Sequence, residues 1–336
     1  MKGRREMKKY MALSMVVVLV LALFAGCGGS TTKKAEKPYQ IGVSQLVEHA
    51  ALDASYQGFL AALKDKGLVE GTDFVIDFQN AQGEQVNANT IATKFVNDKK
   101  ALILAIATPS AQAAANATTD IPILVTAVTD PKDAGLVKSN EAPGTNVSGT
   151  SDLTPVAEQL KLMMKLLPET KTVGLLYCSS ESNSVFQANL AKTAATELGL
   201  TTVDYTVSNS NEIQQVVQSM VGKVDAIYAP TDNMIAAGMA TVSQVATEAK
   251  IPVIVGEEGM VANGGLATSG INYYKLGYLT GEMAYQILVE GADISKMPIQ
   301  YLTDLDVTIN TDVAKALGIT IPADLASTAK MVTLAK

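Results

Sequence analysis

Leu102-Ile103-Leu104-Ala105-Ile106-Ala107 is a run of six apolar residues in the first half of the chain. A short, fully apolar run of this kind is typical of a buried strand in a parallel sheet. An alanine-rich segment at residues 110–117 has the composition of a helix, and a second apolar run at 123–125 follows Pro122 directly. The order strand, helix, strand predicts a parallel pair joined by a right-handed crossover.

The same alternation continues in both directions and falls into two blocks. In the first block we predict further strands at residues 41–44 and 74–78, and helices at 52–66 and 84–98. In the second block we predict strands at 172–177, 201–206, 226–229 and 253–255, with helices at 155–167, 184–198, 212–221 and 233–249. Two such blocks are better explained by two similar α/β lobes with parallel sheets than by one very wide sheet.

The last part of the chain is predicted to complete both sheets, through residues 264–270, a helix at 276–289 and the segment 301–309. We therefore place lobe 1 at residues 39–152 with 271–296, and lobe 2 at residues 153–270 with 297–330. In two facing α/β lobes, the carboxyl ends of the strands and the helix N-termini after them face a shared cleft. Small ligands bind in such clefts.

The first 38 residues have the pattern of a secretion signal followed by a linker. Five basic residues precede an apolar run at 11–25, which is short for a membrane-spanning helix. Cys27 follows Ala25-Gly26, an arrangement that resembles the bacterial lipobox, in which the cysteine is acylated. Residues 1–26 are therefore predicted to be a lipoprotein signal peptide, and 27–38 a flexible tether on the extracytoplasmic face of the cell membrane. The alternative is an ordinary signal peptide in which Cys27 is incidental.

The charge of the chain excludes nucleic acid as a partner. Without residues 1–26 the chain keeps 21 basic and 32 acidic residues, a formal charge of −11, and no basic stripe stands out. Such a surface repels phosphates. Both arginines, Arg4 and Arg5, lie in the predicted signal peptide. An anionic ligand group must therefore be held by backbone N–H groups, hydroxyls, helix N-termini or lysine.

The sequence offers few groups for catalysis or metal binding. His49 is the only histidine, and Cys178 is the only cysteine besides Cys27. A zinc cluster, a structural disulfide and a nucleophile paired with histidine are therefore not expected. Glu257 and Glu258 are adjacent, so their side chains need not converge as in a glycosidase or a calcium loop. We predict neither an enzyme nor a metal or cofactor site, with an extracytoplasmic enzyme as the alternative.

Polar residues cluster in the loops that follow the predicted strands. The first lobe contributes hydroxyls and amides, at Ser44, Gln45, Thr108, Ser110 and Thr126. The second lobe adds acids to such groups, at Ser182, Asn183, Asp232, Asn233 and Glu257. This polarity suits a zwitterion, with its carboxylate on first-lobe donors and its ammonium on a second-lobe acid. Each acid could instead cap the helix that it precedes.

Six stretches, at residues 41–53, 106–113, 126–131, 151–155, 230–233 and 273–277, carry a resemblance to a known family. They resemble the solute-binding lipoproteins of ABC importers, and within these the branch linked to uptake of tryptophan, tyrosine and phenylalanine. The resemblance runs from residue 39 to residue 325. One departure is Ala50-Ala51 after His49, where relatives commonly have a proline.

The resemblance implies a type I periplasmic binding protein: two Rossmann-like lobes joined by a three-strand hinge that close around an amino acid. The ligand would be aromatic and would pass to ABC permease and ATPase subunits. By analogy with amino-acid binders of this fold, Ser110, the amides near it and Thr126 would hold the carboxylate, and Asp232 the ammonium group. Aromatic candidates for the side-chain pocket are Tyr56, Tyr177, Phe186, Tyr273 and Tyr274.

The expected protein is a lipid-anchored monomer. Two alternatives stay open at this point. The ligand could be a sugar, a nucleoside or a peptide bound by the same fold, or the protein could be a surface sensor or adhesin instead of a transport receptor.

Overall fold

The computed structural model of the protein describes residues 37–335. The predicted signal peptide at 1–26, Cys27 and the predicted tether up to residue 36 lie outside the described residues. Within the described part of the chain, no helix combines the length and the apolar character that a membrane span requires.

The described residues form two β-sheets. Their strands in chain order are β1 (Tyr39–Gln45), β2 (Phe74–Asn80), β3 (Leu102–Ile106), β4 (Ile123–Val128), β5 (Val147–Ser151), β6 (Thr172–Cys178), β7 (Thr201–Val207), β8 (Ala226–Ala229), β9 (Val253–Val255), β10 (Ala267–Gly270), β11 (Gln300–Tyr301), β12 (Asp306–Asn310) and β13 (Lys330–Val332).

Helices cover both sheets. In chain order they are α1 (Ala50–Asp65), α2 (Gln85–Asn97), α3 (Thr108–Ala117), α4 (Val156–Leu166), α5 (Ser182–Glu197), α6 (Ile213–Met220), α7 (Asn233–Ala237), α8 (Met239–Glu248), α9 (Glu258–Ala262), α10 (Tyr273–Leu288), α11 (Thr311–Leu317) and α12 (Ala323–Thr328). Two short 3₁₀ turns occur at Ser210–Glu212 and Ile294–Lys296.

The first sheet has the strand order β11-β5-β4-β3-β1-β2, and every neighbouring pair is parallel. Strands β3 and β4 are buried along their whole length. Helix α1 packs against α10, and α2 packs against α3, so that two helix pairs cover this sheet. The apolar run at residues 102–107 therefore consists of the central parallel strand β3 and the one residue after it. A buried parallel strand was predicted here.

The second sheet has the order β13-β12-β10-β9-β8-β6-β7. Its strands are parallel except at one pair, because β12 runs antiparallel to β10, with Gly270 opposite Asp306. The prediction of parallel strands misses this pair. The reason is the direction of entry: β10 ends where the chain leaves the second lobe, and β12 begins where the chain returns to it. Successive residues of β6, such as Leu175 and Leu176, belong to different core clusters, one on each face of the sheet.

The chain passes between the lobes three times. The crossing segments are residues 152–155, 271–272 and 302–305. We predicted that residues 297–330 belong to lobe 2. In the structure, β11 at the start of this range pairs with β5 of the first sheet. The Ser148 hydroxyl also donates to the Met297 carbonyl oxygen at 2.7 Å, which holds this segment on the first lobe.

Helices α1 and α10 approach each other closely where both carry glycine. A Cβ atom on Gly277 would lie 1.8 Å from the carbonyl oxygen of Ser55, and a Cβ atom on Gly58 would lie 2.0 Å from that of Tyr274. Only glycine therefore allows this separation of the two backbones. The first turns of both helices reach the space between the lobes.

Candidate functional site

The two lobes enclose a small space at the ends of their strands, which we call the central cavity. Its volume is about 10 Å³, close to that needed by one water molecule. The first lobe lines it with His49, Leu52, Ala127 and Thr129, and the crossing regions line it with Asp152 and Tyr273. The second lobe lines it with Asn183, Thr231, Asp232, Asn233, Ala236 and Glu257. The structure thus brings together four predicted site residues, which are Asn183, Asp232, Asn233 and Glu257.

Side chains from opposite lobes meet at this cavity. The Nε2 atom of His49 lies 3.5 Å from Oδ1 of Asn233, and Nε2 of Gln187 donates to the Thr129 hydroxyl at 3.3 Å. Both distances are at the long end of the hydrogen-bond range. Burial lowers the pKa of His49 to about 4, although the hydrogen bond with Asn233 raises it. This side chain is therefore neutral at pH 7.

Asp232 begins helix α7, and both of its carboxylate oxygens accept backbone hydrogen bonds. Its Oδ1 accepts from the N–H of Ile235 at 2.8 Å, and its Oδ2 accepts from the N–H of Cys178 at 2.6 Å. Burial raises the pKa of Asp232. Asp232 therefore joins the start of α7 to the end of β6, in addition to lining the cavity.

Glu181 is a buried acid that the sequence reasoning missed. Its Oε2 accepts hydrogen bonds from the backbone and side chain of Asn233 and from the side chain of Asn183, and its Oε1 accepts from the N–H of Met234 at 3.1 Å. Burial, followed by repulsion from Asp232, raises the pKa of Glu181 to about 7. Glu181 fixes the two asparagines that line the cavity.

Glu257 precedes helix α9 and accepts the N–H groups of Gly259 and Met260. Burial raises its pKa to about 7, and repulsion from Glu258 and Asp152 adds to the effect. Like Asp232, this predicted ligand-binding residue both lines the cavity and caps a helix.

Asp152 lies in the first crossing segment, directly after β5, and was not among the predicted site residues. The Tyr273 hydroxyl donates to its Oδ2 at 2.7 Å, and its Oδ1 has no hydrogen-bond partner among the described residues. Burial raises the pKa of Asp152 to about 6, against the effect of the Tyr273 and Thr129 side chains. The sequence does contain an indication of Asp152, because it is a single acid between a hydroxyl-rich segment and Pro155, at the predicted boundary between the lobes.

Four of the first-lobe predictions lie behind the cavity and not in its lining. Gln45 donates to Asp53 Oδ1 at 2.7 Å, and Thr126 accepts a hydrogen bond from the Thr150 hydroxyl at 3.1 Å. The hydroxyls of Ser44 and Ser110 are buried and have no partner among the described residues.

The other two polar predictions and one aromatic candidate lie in an outer slot, a narrow gap between the lobes that Thr108, Ser182 and Phe186 line. The Ser182 hydroxyl also accepts a hydrogen bond from Nε2 of Gln112 at 3.3 Å, so this slot is a further point of contact between lobes.

The remaining aromatic candidates occupy different places. Tyr273 lines the central cavity, whereas Tyr56 stacks on Phe78 with ring centroids 4.9 Å apart. Tyr177 packs into a core cluster of the second lobe, and Tyr274 is 45% exposed. Of these four, only Tyr273 is placed to contact a ligand in the cavity.

Two kinds of reactive group matter for the chemistry of the cavity, a metal cluster and an activated cysteine. Among residues 37–335, no group of three His, Cys, Asp or Glu side chains is arranged to hold a metal ion. Cys178 is buried, and burial raises the pKa of its thiol, which is the opposite of what a reactive cysteine requires. The lining instead combines amides, hydroxyls and acids with a few apolar groups.

Comparisons with known proteins identify the family. The family model for ABC transporter substrate binding proteins matches residues 40–333. A protein of Clostridioides difficile (strain R20291), called tyrosine-binding protein, is 47% identical over 319 residues, which cover 92% of each chain.

Two solved structures resemble this protein over 88% of its chain and over their own full length. One is an ABC domain from Streptococcus pneumonia in complex with L-Trp, at 39% identity and a TM-score of 0.85. The other is a ligand-free, open substrate binding protein with adhesive properties from Clostridium difficile, at 50% identity and a TM-score of 0.68. These findings confirm the resemblance and the fold predicted from the sequence. The chain belongs to the ABC transporter substrate binding proteins, which are extracytoplasmic solute-binding proteins and not enzymes.

Proposed function

We propose that this protein is a lipid-anchored receptor that captures an aromatic amino acid between its lobes and delivers it to an ABC permease. The observation that carries this proposal is the 47% identity, over 92% of both chains, to a protein called tyrosine-binding protein. The L-Trp complex of the streptococcal relative supports the same ligand class. Tyrosine is therefore the first ligand to test, followed by tryptophan and phenylalanine.

The composition of the cavity supports a zwitterionic ligand. Acids and amides of the second lobe face it, and the Thr129 hydroxyl of the first lobe lines it. The buried hydroxyls of Ser44 and Ser110 lie outside this lining and have no hydrogen-bond partner among the described residues. Hydroxyls and backbone N–H groups can hold a carboxylate where arginine is missing. A ligand that contacts both lobes stabilises the arrangement in which they meet.

Two comparisons support hinge closure as the mechanism. The open relative is more similar in sequence than the L-Trp complex, at 50% against 39% identity, yet less similar in structure, at a TM-score of 0.68 against 0.85. Sequence divergence therefore does not explain the lower score, and a different angle between the lobes would account for it. Ligand binding would shift the population from open to closed, because only the closed form offers contacts from both lobes.

Lipid anchoring is proposed from Cys27 and the pattern before it. Palmitate labelling of the full chain, expressed in a bacterium, tests this part. We expect labelling of the natural sequence and loss of it in Cys27→Ala. Labelling that persists in Cys27→Ala would contradict the anchor.

A thermal-shift screen tests the ligand class. The purified chain is unfolded and refolded to remove bound ligand and is then melted with each amino acid, with common sugars and with nucleosides. A true ligand at a hundredfold excess over its Kd should add about 3 kcal/mol to the free energy of unfolding. We expect this response with tyrosine, tryptophan or phenylalanine. A response to sugars or nucleosides alone would contradict the proposal.

Adhesion is a second candidate function, because the Clostridium difficile relative is described as having adhesive properties. A deletion strain separates the two roles. Loss of tyrosine uptake with unchanged attachment to host cells supports transport, and the reverse result supports adhesion.

A further inference from the structure

We propose that Asp152, oriented by Tyr273, is the acid that binds the ammonium group of the ligand. This inference rests on the proposed function, since it assumes an amino-acid ligand in the central cavity. It differs from the assignment to Asp232 that family analogy favours.

The acids of the second lobe are already committed to protein hydrogen bonds. In Asp232 and Glu257, both carboxylate oxygens accept backbone N–H groups. Those of Glu257 are at the start of a helix, whereas Asp232 accepts one at the start of α7 and one at the end of β6. Glu181 likewise accepts hydrogen bonds on both oxygens. These hydrogen bonds hold the loops of the second lobe in place.

Asp152 is different, because only one of its two oxygens has a partner. The Tyr273 hydroxyl donates to Oδ2, while Oδ1 is buried and accepts no hydrogen bond from the described residues. The residue is 5% exposed and lines the cavity. A buried carboxylate oxygen without a donor is costly, so it offers a strong site for a ligand N–H group.

The other unpartnered polar atoms of the cavity lining are also acceptors. The amide nitrogen of Asn183 donates to Glu181, and its Oδ1 accepts no hydrogen bond from residues 37–335. The Nε2 atom of His49 faces the carbonyl oxygen of the Asn233 side chain and therefore carries the proton, which leaves Nδ1 as an unpartnered acceptor. Three unpartnered acceptors suit a group that donates hydrogen bonds, and a primary ammonium has three N–H donors.

The charges around the cavity favour the same ligand group. No lysine or arginine is among the described residues that line the cavity, whereas Asp152 and Glu257 are close enough to repel each other. A bound cation would relieve this repulsion and would offset the burial that raises the pKa of Asp152.

Asp152 also lies where the chain crosses between the lobes. Asp152 follows β5 in the first crossing segment, and Tyr273 begins α10 directly after the second crossing segment. The pair therefore joins two of the three connections between the lobes. An ammonium bound here lies beside the hinge.

The test is the preference for the amino group, measured by calorimetric titration of the full chain purified in detergent. L-tyrosine is compared with 3-(4-hydroxyphenyl)propionate, which lacks only the amine. We expect the natural protein to bind tyrosine at least about a hundredfold more tightly, and Asp152→Asn to lose about thirtyfold or more of its tyrosine affinity. The analogue should bind Asp152→Asn no more weakly than it binds the natural protein.

A matched control removes one charge elsewhere at the cleft margin. Asp133 is exposed and lies beside the outer slot, so Asp133→Asn should keep the preference for the amine. Tyr273→Phe keeps the Asp152 carboxylate but removes the donor that orients it. We expect a smaller loss there, about tenfold in tyrosine affinity.

Several results would overturn the inference. The clearest is a full preference in Asp152→Asn together with its loss in Asp232→Asn. If Asp152→Asn does not fold, an unchanged preference in Tyr273→Phe overturns it. If the natural protein binds no aromatic amino acid, the proposed function itself fails, which differs from tyrosine binding that does not depend on Asp152.

Discussion

Replacing Gly277 with alanine should separate the two helices that carry part of the cavity wall. A Cβ atom at residue 277 would lie 1.8 Å from the carbonyl oxygen of Ser55, whereas ordinary contacts begin near 3.4 Å. The obstructing atom belongs to the backbone of α1 and cannot rotate away. Helices α1 and α10 must therefore move apart by roughly 1.5 Å, as estimated from these two distances.

The cost of this movement can be estimated. Overpacking of a filled core typically costs about 1–3 kcal/mol, and we expect about 3 kcal/mol here because a backbone must shift. In a chain of this size that corresponds to a fall in Tm of about 6 °C. Tyrosine affinity should fall as well, since Leu52 on α1 and Tyr273 on α10 both line the cavity.

Calorimetric melting of Gly277→Ala and the natural protein measures the effect. Gln286→Ala is the control, because Gln286 is exposed on the same helix and alanine is a good helix former. A Tm for Gly277→Ala within 1 °C of the control, the order of the measurement's own scatter, would refute the close helix crossing.

Three further predictions concern the cleft and its supports. Glu181 and Glu257 have pKa values of about 7 in the folded protein. Their contribution to the free energy of unfolding is therefore fully present below about pH 4.5 and is lost as the pH rises through 7. The lowered pKa of His49 destabilises the folded protein at acid pH and so offsets part of this gain. Urea unfolding should still show about 2 kcal/mol more stability at pH 6 than at pH 8. Higher stability at pH 8 would contradict these burial effects. Gln159→Leu should cost about 4 kcal/mol in the same assay, because it leaves three buried hydrogen-bonding partners unpaired; a cost below 1 kcal/mol would contradict this. Gly259→Ala would place a methyl group 2.9 Å from that of Ala50 in the other lobe, so titration should show several-fold weaker tyrosine binding, and unchanged affinity would argue against this contact in the bound form.

The alternation of strands and helices could be predicted because most strands are short apolar runs. The central strand β3 is buried along its length, and its sequence contains nothing but apolar residues. Strand β5, with the sequence Val147-Ser148-Gly149-Thr150-Ser151, was not predicted, although it is equally buried. Its hydroxyls are satisfied inside the protein, as when Ser151 donates to the carbonyl oxygen of Thr129, and such pairing leaves no apolar pattern in the sequence.

One predicted helix, at residues 233–249, is two helices in the structure. The break falls at Gly238, where a Cβ atom would lie 2.4 Å from Cδ1 of Ile213. The clash involves a residue of a different helix, so propensity along the chain cannot reveal it. The glycines of the α1–α10 crossing are a similar case. Whether a position there must be glycine depends on which two helices pack together.

The loops of the candidate site could be located from the sequence, but not the tasks of individual side chains. The loops after β8 and β9 do reach the cavity, as their position after parallel strands predicts. Whether an acid there caps a helix or faces a ligand depends on which N–H groups point at its two oxygens. That distinction separates Asp232 from Asp152, and it becomes visible only when the hydrogen bonds of both are compared.

Calorimetric titration of L-tyrosine into the refolded full-length protein tests the central claim most directly. The account predicts one tyrosine site per chain, with a negative heat-capacity change as the lobes bury apolar surface around the ligand. Tryptophan or phenylalanine should compete for the same site, and glucose and nucleosides should not. Absence of binding by all three aromatic amino acids, or displacement of tyrosine by a sugar, would contradict the claim that this protein is an aromatic amino-acid receptor.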